Sequence, residues 1–265
     1  MRLAVLTLLC LCVAPLFALA QVSDAPLDIS ADDALEWDRN KKTFVARGNA
    51  RAQQGDVSID AQTLTAFYRD GADSNFDLYQ MLAEDNVVLK SADNTAYGQR
   101  AVYKIDDAYA VLTGDDLRIE TAEQIVTAND KFEYFVQRGE FKATGRAQIK
   151  RPQDTLTADA ITANMYTNKK GERVLRKVIA DGDVIIETTL ERVTGKRGIY
   201  DARRNKVEIT GGVTITRGPN ILQGARAEVD LNTHVSRLFG DASEQATGGR
   251  VKGTFYPDAI KADNP

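Results

Sequence analysis

The sequence predicts an all-β protein built from stacked pairs of strands. Apolar and polar residues alternate along most of the chain, and nowhere does a helical period of apolar residues persist for three turns. The passage at residues 83–114 recurs without a gap at residues 180–211, an offset of 97 residues. Shorter units of roughly 30 to 37 residues recur about six times, as in folds whose layers bury their apolar faces on one another. We therefore expect a column of equivalent layers, elongated along one axis.

The first short pattern is a strand that crosses a glycine or another turn-like residue. Apolar side chains lie two and four residues before and after the crossing residue, and this even spacing places them on one face of a strand. A glycine within a strand is typical of a bend or bulge, so we expect the strand to bend at each crossing. We also expect a bulge at Gly114, where the apolar phase slips by one residue. The crossing residues are Gly48, Asp85, Gly145, Gly182 and Gly211.

The second short pattern has an inner step of three residues instead of two. Its clearest copy is Ile59-Asp-Ala61-Gln-Thr-Leu64-Thr-Ala66, and further copies start at Leu156, Val193 and Leu222. The odd step predicts a pair of strands joined by a tight corner at the small residue. Polar turn sequences separate the patterns, and they lie at residues 38–41, 106–107, 168–171 and 201–205.

The N-terminal segment, residues 1–20, is typical of a cleaved secretory signal peptide. It has Arg2, then an apolar run from Leu3 to Phe17, then the cleavage motif Ala18-Leu19-Ala20. Both cysteines of the chain lie inside this segment, so we expect a mature chain without disulfides or Cys-ligated metal. An uncleaved membrane anchor is the alternative. The formal net charge of −4 is mildly acidic and gives no support to a nucleic-acid partner.

The side chains that carry chemistry form no catalytic constellation. His234 stands alone in a turn-like sequence, and the carboxylate pairs fall at strand ends, where Asp bonds to the backbone. Asp181-Gly-Asp183 lacks the repeated Gly-rich loops of calcium-binding β-rolls. We expect no enzyme, no cofactor and no metal. Two alternatives remain: an acid–base pair on a repeat-fold enzyme that acts on polysaccharides, and a purely structural envelope protein.

Three groups of motifs resemble the LptA/OstA family of periplasmic lipopolysaccharide-transport proteins. They are Pro26-Leu-Asp-Ile-Ser-Ala-Asp with Phe44-Val-Ala-Arg-Gly48, Ala143-Thr-Gly145-Arg-Ala-Gln-Ile, and Ile209-Thr-Gly211-Gly-Val-Thr-Ile. The resemblance implies an elongated antiparallel β-jellyroll, opened into a trough, over residues 21–245, with a polar tail at residues 246–265. It also implies a location in the periplasm and the transport of lipopolysaccharide from the inner to the outer membrane.

The same resemblance implies the ligand site and the partners. Lipid A acyl chains would lie in an apolar groove, whereas the residues alone read more simply as a closed core. The implied partners are an inner-membrane LptC-like and an outer-membrane LptD-like β-trough, together with a possible head-to-tail homo-oligomer formed through exposed edge strands. A membrane-anchored LptC-like protein is the alternative within the family. The predicted groove residues are Phe44, Ala46, Val87, Leu89, Leu112, Phe141, Ile149, Val178, Val184, Ile186, Val207, Ile209, Val213 and Ile215.

The basic residues of the turns allow two interpretations. Lys41-Lys42, Lys169-Lys170 and Arg203-Arg204 are either solvated turn ends or contacts for the phosphates of a lipid A headgroup.

Overall fold

The described part of the chain is all-β, which confirms the predicted fold class. A computed structural model describes residues 26–71, 76–91, 94–233, 235–241 and 249–256. The predicted signal peptide with its cysteines, His234 and most of the predicted tail lie outside these residues. Within them, no helix is long and apolar enough to cross a membrane. The strands are β1 (Leu27–Ser30), β2 (Ala34–Asp38), β3 (Thr43–Gln54), β4 (Val57–Asp70), β5 (Phe76–Ser91), β6 (Asn94–Lys104), β7 (Tyr109–Thr113), β8 (Leu117–Thr121), β9 (Ile125–Ala128), β10 (Lys131–Phe135), β11 (Glu140–Lys150), β12 (Asp154–Thr167), β13 (Arg173–Thr188), β14 (Arg192–Asp201), β15 (Lys206–Arg217), β16 (Asn220–Asp230), β17 (Val235–Phe239) and β18 (Lys252–Thr254).

The strands pair in chain order within two compact units. The first unit holds the described residues up to 145 and residues 164–174, and the second holds residues 146–163 and those from 175 onward. In the first unit, β1 and β2 both pair with β3, and β4, β5 and β6 follow as antiparallel neighbours. Strands β7 and β8 then both pair with β6. Strand β10 pairs with β7, and β9 pairs with β8. In the second unit, β13 to β16 pair in succession, and β17 and β18 both pair with β16.

The predicted crossing residues lie at bulges. Each begins a pair of consecutive residues with positive φ, such as Gly48 at 78° with Asn49 at 42°, and Gly182 at 77° with Asp183 at 41°. At Gly48, Asp85, Gly182 and Gly211 the strand register shifts at the crossing residue. A bulge inserts an extra residue, bends the strand and increases its twist. Each long strand is therefore divided into two segments that face different directions, as a jellyroll requires.

The tight corner predicted from the second pattern is wrong. Ile59, Ala61, Leu64 and Ala66 are all buried along one continuous strand, β4. The step of three arises because β4 passes the bulge in β3, where Gln62 alone lies opposite Gly48 and Asn49. At Gly114, where a bulge is predicted, the extra residues form a break between β7, which ends at Thr113, and β8, which begins at Leu117. Both strands pair with β6, and Leu112, Leu117 and Ile119 are all buried, so the inward register is restored as predicted. The predicted polar turns are confirmed.

Inward side chains form rows that run across the strands of the first unit. One row is Trp37, Phe44, Ala66, Met81, Tyr103 and Ala110, each directly opposite the next. A parallel row is Leu35, Ala46, Leu64, Ala83, Ala101 and Leu112. Such cross-strand contacts on one face stabilise a sheet and fix its register. The interior of the first unit is therefore lined by matched apolar residues from successive strands.

The bulge at Gly182 depends on the missing side chain. A Cβ added there would lie 2.1 Å from Oδ2 of Asp159, and the backbone φ is +77°. We expect Gly182→Ala to lower the free energy of unfolding by about 1–3 kcal/mol, because both the backbone and Asp159 must shift. Gly212→Ala is the matched control, since Gly212 has the same φ of +77° and open space around its Cβ position. Urea denaturation measures both, and equal losses would contradict the crowding at Asp159.

Candidate functional site

The first unit contains an apolar cavity of about 200 Å³. It lies among the inward residues of β1 to β7, from Ile29 on β1 to Ala110 on β7. The side chains of the inward rows that line it are apolar apart from the hydroxyl of Tyr103, and Glu36 and Thr65 border it from the row on the opposite face of the sheet. Water gains little from a space with so few polar partners, and apolar cavities of this kind stay dry or take apolar ligands. The cavity is therefore suited to hydrocarbon.

Alanines create the empty space. In the second row described above, Ala46, Ala83 and Ala101 are 3%, 1% and 8% exposed, so these small residues stand where a core would normally carry larger ones. Protein cores are otherwise close-packed, and a cavity costs the contacts that its lining atoms lack. A cavity that persists at such a cost is a reasonable candidate for a ligand site.

An aromatic cluster, which we call the aromatic mouth, lies where β2 borders the cavity. It consists of Trp37, Phe44, Tyr68 and Phe76. The rings of Trp37 and Phe44 are stacked with centroids 5.5 Å apart, and Phe76 meets Trp37 edge-on at 5.4 Å. The Trp37 indole Nε1 donates a 2.7 Å hydrogen bond to the Tyr68 hydroxyl. Trp37 is 45% exposed and Phe76 is 49% exposed, so the mouth presents aromatic surface to solvent.

The exposure of β2 has a clear cause within the fold. Leu35 and Trp37 are 64% and 45% exposed, whereas the residues at the offset of 97, Phe132 and Tyr134 on β10, are 0% and 2% exposed. Strand β7 pairs with β10, and its Leu112 lies directly opposite Phe132. An additional strand therefore covers this face at β10, while the equivalent apolar face of β2 is open to solvent.

Several basic residues of the turns are paired with aspartates. Lys42 Nζ lies 2.7 Å from Asp70, and Lys206 Nζ lies 3.1 Å from Asp230. Arg39 instead stacks its guanidinium 4.1 Å above the Trp37 ring. Arg39 is thus a cation held against an aromatic face of the mouth.

The predicted groove residues separate into three environments. Phe44, Ala46 and Leu89 line the cavity. Ile215 is half-buried on β15. The others are buried: Val87, Leu112, Phe141, Ile149, Val178, Val184, Ile186, Val207, Ile209 and Val213. These ten point into the interior as the alternation predicts, and their role in lipid binding stays a prediction.

Several cavity residues were missed by the prediction from sequence. Ile29, Leu35, Trp37, Met81 and Tyr103 all line the cavity. The offset of 97 residues could have identified Leu35 and Trp37, because their counterparts Phe132 and Tyr134 continue the same alternation. The cavity itself has no such sequence signal, because it depends on how the alanines of several strands meet.

The buried carboxylate of the first unit is fully bonded. Glu133 is 8% exposed, accepts a 2.7 Å hydrogen bond from the Tyr109 hydroxyl, and lies 3.1 Å from Lys131 Nζ. Burial alone would raise the pKa of Glu133, but these two partners hold it below its ordinary value. Burial and the same hydrogen bond raise the pKa of Tyr109 to about 12. The described residues contain no cluster of His, Cys, Asp and Glu that could hold a metal ion.

A family model of lipopolysaccharide transport proteins matches most of the chain. The family model described as LptA/(LptD N-terminal domain) LPS transport protein matches twice, at residues 28–140 and at residues 126–235. An uncharacterized protein of Rhizobium meliloti (strain 1021) is 23% identical over 154 residues, which are 56% of this chain and 78% of that protein. LptH, the LptA-homologous periplasmic component of the lipopolysaccharide transport device of Pseudomonas aeruginosa, is 17% identical with a TM-score of 0.40, over 50% of this chain and 94% of LptH.

The two matches of the family model follow the internal repeat of the sequence. The second begins 98 residues after the first, close to the offset of 97 that relates Gly48 to Gly145 and Asp85 to Gly182. We call residues 28–140 the first repeat and residues 126–235 the second repeat. Together the matches cover most of the chain, and the chain belongs to the family of LptA and LptD N-terminal domain lipopolysaccharide transport proteins.

Proposed function

We propose that the chain carries lipopolysaccharide through the periplasm by holding lipid A acyl chains inside its β-jellyroll. The observation that carries this proposal is the apolar cavity of the first unit, in a chain of a lipopolysaccharide transport family. Each methylene group moved from water into such a site gains about 0.8 kcal/mol. Several methylenes are therefore enough to hold a lipid in transit, and no covalent step is needed.

The interior, not the charged surface, is the basis of binding in this proposal. Lys42 and Lys206 are paired with neighbouring aspartates, and exposed ion pairs contribute little energy. Family membership favours transport over the alternative of an enzyme that acts on polysaccharides.

The proposed partners are β-troughs of the same kind at both membranes, LptC-like at the inner and LptD-like at the outer membrane. Support comes from apolar residues on the terminal strands of each unit. Strand β2 of the first unit exposes Leu35 and Trp37, and in the second unit Val235 on β17 is 43% exposed, while Phe255 and Tyr256, directly after β18, are 47% and 53% exposed. Exposed strand edges of this kind pair readily with another chain. The same edges support a head-to-tail homo-oligomer.

Site-specific photo-crosslinking tests the proposed function. Leu89 points inward beside the cavity at 3% exposure, and its chain neighbour Lys90 is exposed. We expect a crosslinker at Leu89 to capture lipopolysaccharide in cells, and a crosslinker at Lys90 to capture none. Equal capture at inward and outward positions would contradict binding in the interior.

The N-terminus of the mature protein separates the carrier from the anchored alternative. A carrier released into the periplasm has lost residues 1–20, while an LptC-like anchored protein keeps them. Mass spectrometry of the protein isolated from cells measures this difference. We expect a mature chain that begins after Ala20.

A further inference from the structure

We propose that the first repeat holds a seat for a single acyl chain, which enters past Trp37 and leaves an anionic headgroup beside Arg39. This inference rests on the proposed function and makes it specific. It states which repeat takes the chain, how many chains fit, and which way the amphiphile points.

The volume sets the number of chains. The cavity holds about 200 Å³. A void of about 150 Å³ is known to accept one benzene molecule. The cavity therefore accommodates a segment of one acyl chain, and a bundle of several chains side by side does not fit. A lipid with many acyl chains would insert one of them here.

The open face of β2 sets the entrance. Trp37 and Leu35 both line the cavity and are both exposed, so they connect its interior to solvent. At the equivalent place on β10, pairing with β7 closes the face and buries Phe132 and Tyr134. Two alanines of the lining, Ala52 and Ala110, correspond to the larger Ile149 and Val207 of the second repeat, whereas Ala46, Ala83 and Ala101 correspond to Ala143, Ala180 and Gly198. The open face of β2 is therefore what assigns the seat to the first repeat.

Arg39 sets the orientation. Its guanidinium lies 4.1 Å from the centre of the Trp37 ring of the aromatic mouth, and the side chain is exposed. The neighbouring cations Lys41 and Lys42 lie 3.3 Å from Asp38 and 2.7 Å from Asp70, so their charges are already balanced. A phosphate or carboxylate on the head of the inserted chain would meet Arg39 first, and guanidinium pairs well with both groups.

Trp37 provides the measurement, because it is the single tryptophan among the 265 residues. We would titrate the mature protein with dodecyl phosphate and follow the emission of Trp37. The expected result is a shift of the emission to shorter wavelength that saturates at one dodecyl phosphate per chain. No shift, or saturation at several amphiphiles per chain, would overturn the proposal.

The double variant Ala52→Ile with Ala110→Val tests the position of the seat. It places in the first repeat the residues that the second repeat already carries, and it adds five carbons to the lining. We expect dodecyl phosphate binding to weaken on the order of a thousand-fold, since a similar number of chain carbons is displaced. Ala34→Ile on the exposed face of β2 is the control and keeps the wild-type affinity. A melting temperature no lower than that of the wild type shows that the double variant is folded, and unchanged binding by a folded double variant would overturn the proposal.

Arg39→Gln tests the orientation. The wild type is expected to prefer dodecyl phosphate over dodecyltrimethylammonium, which has the same chain and the opposite charge. Exposed charge contacts are weak, so the preference is about two- to five-fold, and Arg39→Gln abolishes it. Lys41→Gln, at a cation already paired with Asp38, leaves it unchanged. A preference that survives Arg39→Gln would place the headgroup elsewhere.

Competition with lipopolysaccharide separates this inference from the proposed function. If lipopolysaccharide displaces dodecyl phosphate from the wild type, the result supports both the proposed carrier function and the acyl-chain seat of the first repeat. If lipopolysaccharide binds by calorimetry without displacing dodecyl phosphate, the protein is a carrier but its acyl seat lies elsewhere, and the inference is overturned. If lipopolysaccharide does not bind while dodecyl phosphate saturates at one per chain, the seat is real and the proposed function fails.

Discussion

Ile209→Asp is expected to unfold the second unit. Ile209 is 2% exposed on β15, with Gly198 and Ala227 directly opposite on the neighbouring strands. An unpaired carboxylate at this place has no cation or donor beside it, and burying it costs several kcal/mol. That cost is comparable to the whole stability of a typical domain, about 5–15 kcal/mol. We expect little folded protein in periplasmic extracts and a lost thermal transition in the purified variant.

Thr210→Asp is the matched control for this prediction. Thr210 is the next residue on β15, is half-buried, and lies opposite Arg197 and Arg226, so a carboxylate there gains cationic neighbours. Its melting temperature is expected to stay close to that of the wild type. A wild-type transition in Ile209→Asp would mean that this face of β15 points to solvent and that the register is wrong by one residue.

Leu35→Lys is expected to weaken self-association about ten-fold or more. Leu35 is 64% exposed on β2, so a lysine there stays hydrated and changes the free energy of unfolding by only a few tenths of a kcal/mol. The lysine nevertheless replaces an apolar side chain that an added strand would cover, as β7 covers Phe132 on β10. A charge on the inward face of an edge strand blocks pairing with another chain. Sedimentation velocity across a concentration series measures the change.

Glu36→Lys provides the control for the assembly prediction. Glu36 is on the same strand, and its side chain alternates to the face opposite that of Leu35. The wild type and Glu36→Lys are expected to grow into larger oligomers as concentration rises, and Leu35→Lys to form smaller species. A wild type that is monomeric at every concentration would exclude self-assembly through this edge.

The bulges were predictable because backbone chemistry determines them locally. The bulge needs a residue with positive φ, and a glycine or aspartate between two apolar pairs is a residue that adopts it readily, as at Gly48 and Asp85. The corner predicted after Ala61 was wrong because the step of three in β4 is a response to the bulge in its neighbour β3. The sequence of one strand does not show whether a bulge lies in that strand or in its neighbour.

The candidate site was less predictable for a related reason. Which side chains point inward follows from the alternation of apolar and polar residues along each strand, as the ten buried groove residues show. Exposure depends on whether another strand lies alongside, and this is why Leu35 and Phe132 differ although the repeat makes them equivalent. The cavity arises from alanines that are far apart in sequence, such as Ala46 and Ala101, and meet only after the strands pair.

The most direct test of the account compares intact lipopolysaccharide with the same molecule after its acyl chains have been removed. Isothermal titration calorimetry of the mature protein with each ligand reports binding anywhere on the molecule. If the interior holds the acyl chains, the intact ligand binds with a negative heat-capacity change, the mark of apolar burial, and the deacylated ligand gives no measurable binding. Equal affinity for the two ligands would show that the protein recognises the saccharide or its phosphates, and would contradict transport by acyl-chain burial.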